Sequence, residues 1–336
     1  MVNLDKKDRV ILYELDRDAR QPLSKISKKA KLSREAVLYR LRGYLRNGII
    51  RRYLTVVDMA KLGFGHHKVF LKLHDISEKQ EEGLIADLCK NPYITWVSSC
   101  DGQYSLLFAV KARSLIELDS ILKEIGKKYW RTFMIRDIAS IVRAYHYYRD
   151  YLVDAEGTTS REIKWGDTAA AGIKFDETDV SILDAICEDS RANSVEIAKK
   201  AGVSPDSVLM RIRRMEKTGL IEHYMIWPNV NRLVGLYYKV LIRLHDLDSR
   251  REKRLFSFCL RHPNIVYSVH AFGPWQFEID VEARDLEEFR SIMRGFMNEF
   301  ADIVSDYTPL NIYQEHKYRF FEKECMRRRN GRADTQ

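Results

Sequence analysis

Two stretches of the chain share one pattern: Leu4-Asp5-Lys6-Lys7-Asp8-Arg9-Val10-Ile11-Leu12 and Phe175-Asp176-Glu177-Thr178-Asp179-Val180-Ser181-Ile182-Leu183. They lie 171 residues apart, and the same offset carries Asp18-Ala19-Arg20 onto Asp189-Ser190-Arg191. Between residues 4 and 53, 18 of 50 positions are identical at this offset without a gap. Self-similarity at a fixed spacing is typical of a repeated structural unit. We therefore predict that the chain contains one unit twice.

The first part of each unit has the pattern of three short helices followed by a strand. Asp5 is a predicted N-cap, and Ser33 is the predicted N-cap of a third helix that ends at Asn47-Gly48. Residues 50–57 read as an extended wing strand. In the second copy Ser204 is the cap and Pro205 takes the first helical position. This pattern predicts a winged helix-turn-helix.

The second part of each unit changes to a mixed pattern. Residues 68–73, 94–99, 104–110 and 135–147 read as strands, and residues 78–90 and 114–129 read as helices. The order βαββαβ is that of a ferredoxin-like domain. The predicted fold class is therefore α+β, with two winged helix-turn-helix domains alternating with two ferredoxin-like domains.

The domain boundaries follow from these changes of pattern. We expect helix-turn-helix domains at 1–60 and 174–231, ferredoxin-like domains at 61–151 and 232–322, a linker at 152–173 and a basic tail at 323–336. The linker is marked by Gly-Thr-Thr-Ser and Ala-Ala-Ala-Gly, and the tail by Arg327-Arg328-Arg329, a further candidate phosphate contact.

Composition excludes several classes of protein. The 336 residues are 45% hydrophobic and include 57 Lys+Arg against 48 Asp+Glu, which gives a net charge of +9. That content excludes a mainly disordered chain, and there is no apolar run long enough to span a membrane. The charged N-terminus leaves no room for a signal-peptide core. The 5 Cys are scattered along the chain, so we expect neither disulfides nor a zinc ribbon. Unpaired cysteines are typical of a reducing compartment, so we expect a cytoplasmic location.

The first helix-turn-helix has the charge expected of a DNA-binding unit. Residues 1–60 contain 15 Lys+Arg and 7 Asp+Glu, a net charge of +8. The third helix of such a unit enters the major groove, where Arg can read guanine with two hydrogen bonds. We therefore predict base contacts from exposed residues of this helix and phosphate contacts from cations around it. The predicted DNA-binding residues of the first copy are Lys25, Lys28, Ser33, Arg34, Glu35, Tyr39, Arg40, Arg42, Arg46, Arg51 and Arg52.

The second copy has a different charge. Residues 171–231 contain 8 Lys+Arg and 10 Asp+Glu, a net charge of −2. We therefore expect the first copy to dominate the phosphate contacts. The predicted DNA-binding residues of the second copy are Ser204, Ser207, Met210, Arg211, Arg213 and Arg214.

The first copy also resembles a known family. Leu4-Asp5, Asp8, Ile11-Leu12, Arg20, Ile26, Ala30, Leu32-Ser33, Val37, Arg40 and Gly48-Ile49-Ile50 resemble the helix-turn-helix of the Lrp/AsnC (feast/famine) transcription regulators. The following βαββαβ unit resembles the effector-binding and assembly domain of that family. The resemblance implies sequence-specific binding of double-stranded DNA by paired subunits. Because one chain supplies both halves, we expect an intramolecular pseudo-dimer, and further assembly into a homo-oligomer stays open.

The resemblance also implies a small-molecule effector near a glycine turn of each ferredoxin-like domain. The candidate effector-binding residues are Cys100, Asp101, Gly102, Tyr104, Gly273 and Trp275, and Trp96 and Tyr267 are further aromatic candidates. The family's turn has the form Gly-x-aromatic-Asp, whereas here it is Gly102-Gln103-Tyr104-Ser105 and Gly273-Pro274-Trp275-Gln276. Both turns lack the acid, which leaves open whether the effector is an amino acid.

The histidines of the chain suggest an enzymatic function as the alternative to regulation. Some proteins of this architecture resemble tetrapyrrole (siroheme-type) decarboxylases, for which His74, His146, His245 and His316 are the candidate positions. No metal-ligand spacing joins these histidines. The sequence also has no Ser/His/Asp arrangement, phosphate loop or glycine-rich nucleotide motif. We therefore expect a non-enzymatic protein without cofactor or metal, and the strongly basic first copy favours DNA binding.

Overall fold

The computed structural model describes residues 4–153, 162–165, 175–245 and 247–326. The Arg327-Arg328-Arg329 run and most of the 152–173 segment lie outside the described residues. The described part is a mixture of helices and antiparallel strands, so the α+β prediction is confirmed.

Three helices open the first half: α1 (Lys6–Arg17), α2 (Leu23–Ala30) and α3 (Arg34–Arg46). Asp5 caps α1 in a reciprocal arrangement, because its carboxylate accepts the Asp8 N–H at 2.7 Å while Asp8 accepts the Asp5 N–H at 3.0 Å. The Ser33 hydroxyl accepts the Ala36 N–H at 3.1 Å and begins α3. Both predicted caps are confirmed.

The rest of the first half is the strand β1 (Ile50–Val57) and a βαββαβ unit. This unit contains β2 (Gly65–Leu73), α4 (Glu78–Lys90), β3 (Ile94–Asp101), β4 (Leu106–Ala112), α5 (Leu115–Tyr129) and β5 (Phe133–Tyr147). Within the predicted linker, β6 (Glu162–Trp165) pairs with the end of β5, a short strand that the sequence did not predict.

The second half repeats the same order. Its elements are α6 (Glu177–Glu188), α7 (Ser194–Ala201), α8 (Pro205–Lys217), β7 (Ile221–Pro228), α9 (Val230–Leu233), β8 (Leu236–Leu244), α10 (Ser249–Arg261), β9 (Ile265–Phe272), β10 (Phe277–Ala283), α11 (Leu286–Glu299) and β11 (Val304–Tyr318). Each helix and strand from α1 to β5 begins 171 residues before its counterpart in the second half. The sequence offset therefore corresponds to an offset in structure.

The strands β1 and β7 form a two-stranded antiparallel ribbon that joins the two halves. Leu54 pairs with Met225 at its centre, and most of both strands is buried. The prediction of a strand at residues 50–57 is correct, but this strand was expected to be a wing beside its own helices. Its apolar side chains instead find their partner strand in the other half.

The remaining strands form one antiparallel sheet in the order β2-β4-β3-β11-β8-β10-β9-β5-β6, in which β2 also pairs with β5. Eight of these strands therefore form a closed sheet. The first part of each long strand, β5 or β11, pairs within its own half, and the second part pairs with a strand of the other half. Helices α4 and α5 cover one unit, and α10 and α11 cover the other. The opposite faces of the two units meet in an interior that contains both apolar and charged side chains.

Candidate functional site

The outward face of α3 carries most of the side chains predicted to read DNA. Val37, Leu41 and Tyr44 are buried and fix the helix against the rest of the domain. This leaves a polar face exposed, on which the Tyr39 side chain is 71% exposed. The exposed side chains of this face are Arg34, Glu35, Tyr39, Arg42 and Arg46, and Lys25, Lys28 and Arg52 are exposed on neighbouring elements. These side chains are therefore accessible to a ligand, and their contact with DNA stays a prediction.

Lys25 and Lys28 also line a recess of about 650 Å³ beside α1 and α2. Four cations and two acids line it, namely Arg17, Lys25, Lys28, Lys29, Glu14 and Asp18. Lys29 pairs with Glu14 at 2.7 Å, so part of this charge is neutralised within the protein. The remaining excess of positive charge is suited to a phosphate group.

Arg40 lies on the other side of α3 and faces α1. Its guanidinium donates to Asp5 at 2.8 Å and to Asp8, whose carboxylate also accepts the Tyr44 hydroxyl at 2.6 Å. These bonds connect the start of α1 to α3. Arg40 was expected to contact phosphate, and the structure assigns it instead to holding the two helices together.

The second copy has the same arrangement with one additional ion pair. The Arg211 guanidinium donates to Asp176 and Asp179 at 2.8 Å each, and Arg214 also pairs with Asp179. Hydrogen bonding from Arg211 and from the Asp179 backbone lowers the pKa of the Asp176 carboxyl to about 2. Arg211 therefore corrects the prediction as Arg40 does, because it too joins two helices.

The outward face of α8 carries fewer exposed arginines than that of α3. Met210 is 63% exposed, and Arg213 and Arg214 are exposed as well. The Ser204 hydroxyl caps the helix by accepting the Ser207 N–H at 3.2 Å. Of the two exposed arginines that were predicted to contact DNA, Arg214 is paired with Asp179, whereas Arg213 remains accessible to a ligand.

Arg51 is half-buried, and its guanidinium binds within the protein instead of making the predicted phosphate contact. Its guanidinium donates to the backbone oxygen of Glu315 at 2.5 Å and stacks over the Trp227 ring at 5.4 Å. Because β1 pairs with β7, the Arg51 side chain points towards the junction of the halves. Its neighbour Arg52 is exposed.

Two arginines that were not predicted as functional join the helix-turn-helix units to each other. Arg20 donates to the backbone oxygens of Ser190 at 2.5 Å and Ala192 at 3.0 Å. Arg191 donates reciprocally to the backbone oxygens of Ala19 and Gln21. The repeated Asp-x-Arg at 18–20 and 189–191 was visible in the sequence, and it marks this two-fold contact.

The predicted effector residues around the first glycine turn lie mostly within the fold. Cys100 and Tyr104 are buried, and the Tyr104 hydroxyl donates to Asp137 at 2.6 Å, whereas Asp101 is exposed. Gly102 has a φ of +129°, and an added Cβ would lie 3.2 Å from atoms of the Pro309–Leu310 segment in the other half. The turn is therefore a packing contact between halves.

The second glycine turn makes the equivalent contact. A Cβ on Gly273 would lie 2.8 Å from the Ile138 backbone oxygen and 3.0 Å from Ala139 Cα. Trp275 is buried and packs edge-on against Phe70, with ring centres 4.6 Å apart. Both glycine turns therefore pack closely against the other half of the chain.

An interior cavity lies instead between the inner faces of the two βαββαβ units. It is lined in part by Trp96 and Tyr267, which were predicted as effector candidates, and by His66, which was not. His66 Nε2 lies 2.9 Å from the Thr95 hydroxyl. Burial, aided by the nearby Lys68 cation, lowers the pKa of His66 to about 3.

The four histidines of the enzymatic alternative lie in different surroundings. His74 and His245 are exposed just after β2 and β8. His146 is buried in β5, and His316 is half-buried in β11, where Nε2 lies 2.8 Å from the Ser99 hydroxyl. Among the described residues, no three His, Cys, Asp or Glu side chains are arranged to hold a metal ion.

Two helix-turn-helix units with exposed third helices, joined to ferredoxin-like domains, define the class of helix-turn-helix transcription regulators. The model of the AsnC-type helix-turn-helix domain matches residues 4–43, and that of a winged helix-turn-helix DNA-binding domain matches residues 175–222. The chain belongs to the Lrp/AsnC family of transcription regulators.

Relatives of the chain carry matching descriptions. An uncharacterised HTH-type transcriptional regulator of Pyrococcus abyssi is 31% identical over 139 residues, which are 41% of this chain and 92% of the relative. The proline dehydrogenase transcriptional activator of Rhodobacter capsulatus is 32% identical over 35% of this chain and 78% of the relative. The HTH-type transcriptional regulator LrpC of Bacillus subtilis is 28% identical over 40% of this chain and 90% of the relative. Each is thus matched over most of its own length by less than half of this chain.

Solved structures of the siroheme decarboxylase NirDL share the architecture of nearly the whole chain. One matches with a TM-score of 0.57 and 13% identity over 94% of this chain and 93% of its own, and another, in complex with an iron-uroporphyrin III analogue, matches with a TM-score of 0.58 at the same identity. At this identity the match establishes the fold that the two proteins share, and no common activity.

Within the described ranges, every helix is too short or too polar to cross a membrane.

Proposed function

We propose that one chain is a sequence-specific DNA-binding regulator that acts as a pseudo-dimer and reads two half-sites with α3 and α8. The reciprocal bonds of Arg20 and Arg191 carry this proposal, because they connect the two helix-turn-helix units directly. The β1–β7 ribbon adds a second connection. Paired units of this kind read half-sites about one helical turn apart, roughly 34–36 Å.

The two units contribute unequally in this proposal. The charge of +8 on residues 1–60 against −2 on residues 171–231 supports a larger share of phosphate contacts for the first unit. The exposed α3 face also carries three arginines, Arg34, Arg42 and Arg46, whereas one of the two on α8 is paired with Asp179. Because the two faces differ in sequence, the proposed DNA site is asymmetric.

We further propose that the protein regulates and does not catalyse, and that it does so in the cytoplasm. The names of the relatives support regulation. The interior cavity argues against a tetrapyrrole substrate, because its cations Lys68, Arg149 and Lys239 are already ion-paired with acids, and Glu315 would repel the carboxylates that such pigments carry. DNA binding without a bound pigment is the expected behaviour.

Selection of bound sequences from random DNA tests the proposal. The selection is run with the intact chain and with two charge-reversal variants, Arg42→Glu on α3 and Arg213→Glu on α8, which occupy equivalent exposed positions. Arg290→Glu, at an exposed position on α11, is the matched control for the change in charge. Arg40 and Arg211 are avoided because their ion pairs join helices.

We expect an asymmetric motif of two half-sites, one of which is lost in each variant. Arg42→Glu should weaken binding more and reduce the slope of log K against log salt more than Arg213→Glu. If no sequence is enriched, the proposal of sequence-specific binding is contradicted. If the two variants lose binding equally, the proposed asymmetry between the two units is contradicted. Absorbance of a bound pigment together with no DNA enrichment would favour the decarboxylase alternative.

A further inference from the structure

The interior cavity lies between the inner faces of the two βαββαβ units, and its lining includes the cations Lys68, Arg149 and Lys239 and six aromatic rings. These rings belong to Trp96, Trp227, Tyr237, Tyr267, Tyr318 and Phe320. The cavity volume is about 60 Å³. A water molecule occupies about 10–15 Å³ of such a cavity, so there is room for a small ligand.

The acids beside this cavity come from one half of the chain. Glu278, Asp280 and Glu282 on β10 correspond, at the offset of 171, to Leu107, Ala109 and Lys111 on β4. Glu315 on β11 corresponds in the same way to Ala144 on β5. Two identical subunits would carry these acids twice. The divergence of the two halves therefore creates a single asymmetric site in each chain.

Most of these acids are neutralised by buried cations. Lys68 pairs with Glu278 at 2.5 Å, and Lys239 pairs with Asp280 at 2.5 Å. Arg149 bridges two acids at once: Asp16 at 2.5 Å and Glu282 at 2.8 Å. Three cations thus face four acids, and buried charges of this kind are stable only when paired.

Glu315 is the fifth acid, and it has no cation of its own. Its Oε1 accepts the indole N–H of Trp96 at 2.8 Å, and its Oε2 accepts that of Trp227 at 2.9 Å. Within the described part of the chain, no Lys, Arg or His side chain lies within ion-pair distance of its carboxylate, since Arg51 bonds the backbone oxygen. Two neutral donors fix the orientation of the carboxyl group without forming an ion pair with it.

The electrostatics of Glu315 agree with this description. Burial raises the pKa of the Glu315 carboxyl above its ordinary value, while Trp96, Trp227 and Arg51 act in the opposite direction. A positive charge beside this carboxylate would stabilise its ionised form. Asp280 and Glu282 are already paired with Lys239 and Arg149, so a negative charge here would face the carboxylate of Glu315 without gaining a free cation, and the site favours a cationic over a carboxylate ligand.

We propose that this cavity binds one small organic amine per chain, with the ammonium group on Glu315 and the carbon atoms against the aromatic rings. The aromatic lining favours a compact cation with an apolar body, because ring faces attract cations and exclude water. The further assignment of this cavity as the effector site of a regulator rests on the proposed function. The binding of the amine does not depend on that function.

Calorimetric titration of the full chain in the absence of DNA tests the proposal. The probes are n-butylammonium, 1-butanol and butyrate, which have similar carbon bodies and differ in charge. We expect one n-butylammonium per chain, at least tenfold weaker binding of 1-butanol, and no binding of butyrate. Glu315→Gln should weaken n-butylammonium binding at least tenfold, whereas Glu287→Gln, at an exposed position on α11, should not change it.

A second variant keeps the test valid if Glu315→Gln does not fold. Ala109→Leu adds volume at a residue that lines the cavity and leaves every charge in place. It should abolish n-butylammonium binding while thermal unfolding stays cooperative. The proposal is overturned by no binding, by two sites per chain, by equal binding of 1-butanol or butyrate, or by binding that survives both variants. None of these results bears on DNA selection, so the two proposals fail separately.

Discussion

At the scale of single residues, arginines of the same helix have different roles that sequence spacing alone does not separate. Arg40 and Arg42 are two positions apart on α3, and both were predicted to contact DNA. Two positions correspond to about 200° around a helix, so the side chains point in nearly opposite directions. Arg40 meets the Asp5–Asp8 capping box, and Arg42 is exposed.

The ion pairs of Arg40 give a direct prediction for stability. Arg40→Gln should lower the free energy of unfolding by about 1 kcal/mol, because it removes charge-assisted hydrogen bonds between α1 and α3 that are partly exposed. Arg42→Gln, the matched control, should change it by less than about 0.5 kcal/mol. Urea denaturation measures both, and equal effects of the two variants would refute the structural role of Arg40.

The glycine at the second turn permits close approach of the two halves. Gly273→Ala should destabilise the protein by about 1–3 kcal/mol, because the added Cβ meets backbone atoms of Ile138 and Ala139 that cannot rotate away. Gly295→Ala is the control, since nothing lies within 4 Å of an added Cβ within α11. It should stabilise the helix by up to about 1 kcal/mol. Thermal unfolding of both variants gives the comparison, and a neutral Gly273→Ala would contradict the close contact.

The histidine in the cavity predicts how stability depends on pH. The folded pKa of His66 is about 3, below its ordinary value of 6.5. The unfolded state therefore binds the extra proton first, so this group's contribution is complete above pH 6.5 and is lost as the pH falls towards 3. NMR titration of the imidazole should show no protonation at pH 5. A midpoint near 6.5 would contradict the burial of this ring.

At the scale of elements, much of the fold followed from the sequence. Periodicity, caps and the offset of 171 were sufficient for the helix-turn-helix helices and for the order of the βαββαβ units. The pairing of strands from different halves could not be predicted in this way, because the partner of a strand depends on tertiary contacts. Thus the sequence predicted neither the pairing of β1 with β7 nor the strand β6. The cavity was missed for the same reason, since Glu315 and Trp96 lie on strands far apart in sequence.

The β1–β7 ribbon predicts slow amide exchange. If β1 is a buried strand paired with β7, backbone amides in the middle of Ile50–Val57 should exchange with solvent as slowly as those of β3. An exposed wing would exchange orders of magnitude faster. Hydrogen–deuterium exchange with peptide resolution distinguishes the two, and fast exchange throughout β1 would show that the ribbon does not hold the halves together.

At the scale of the whole molecule, fusion lets the two halves differ. Most of the basic charge has gathered on the first helix-turn-helix, and the cavity acids lie in the second half. A homodimer is unable to divide its functions in this way, because each change appears in both subunits. The two-fold arrangement of Arg20 and Arg191 persists where the halves must still fit together.

The most direct test of the pseudo-dimer is the mass of the complex with DNA. Native mass spectrometry is applied to the intact protein and a duplex that carries one selected two-half-site motif. We expect one chain of 39.5 kDa per duplex, with both α3 and α8 protected from hydrogen exchange. Two chains on the same duplex, with α8 unprotected in both, would mean that separate molecules supply the two reading helices and would contradict the account.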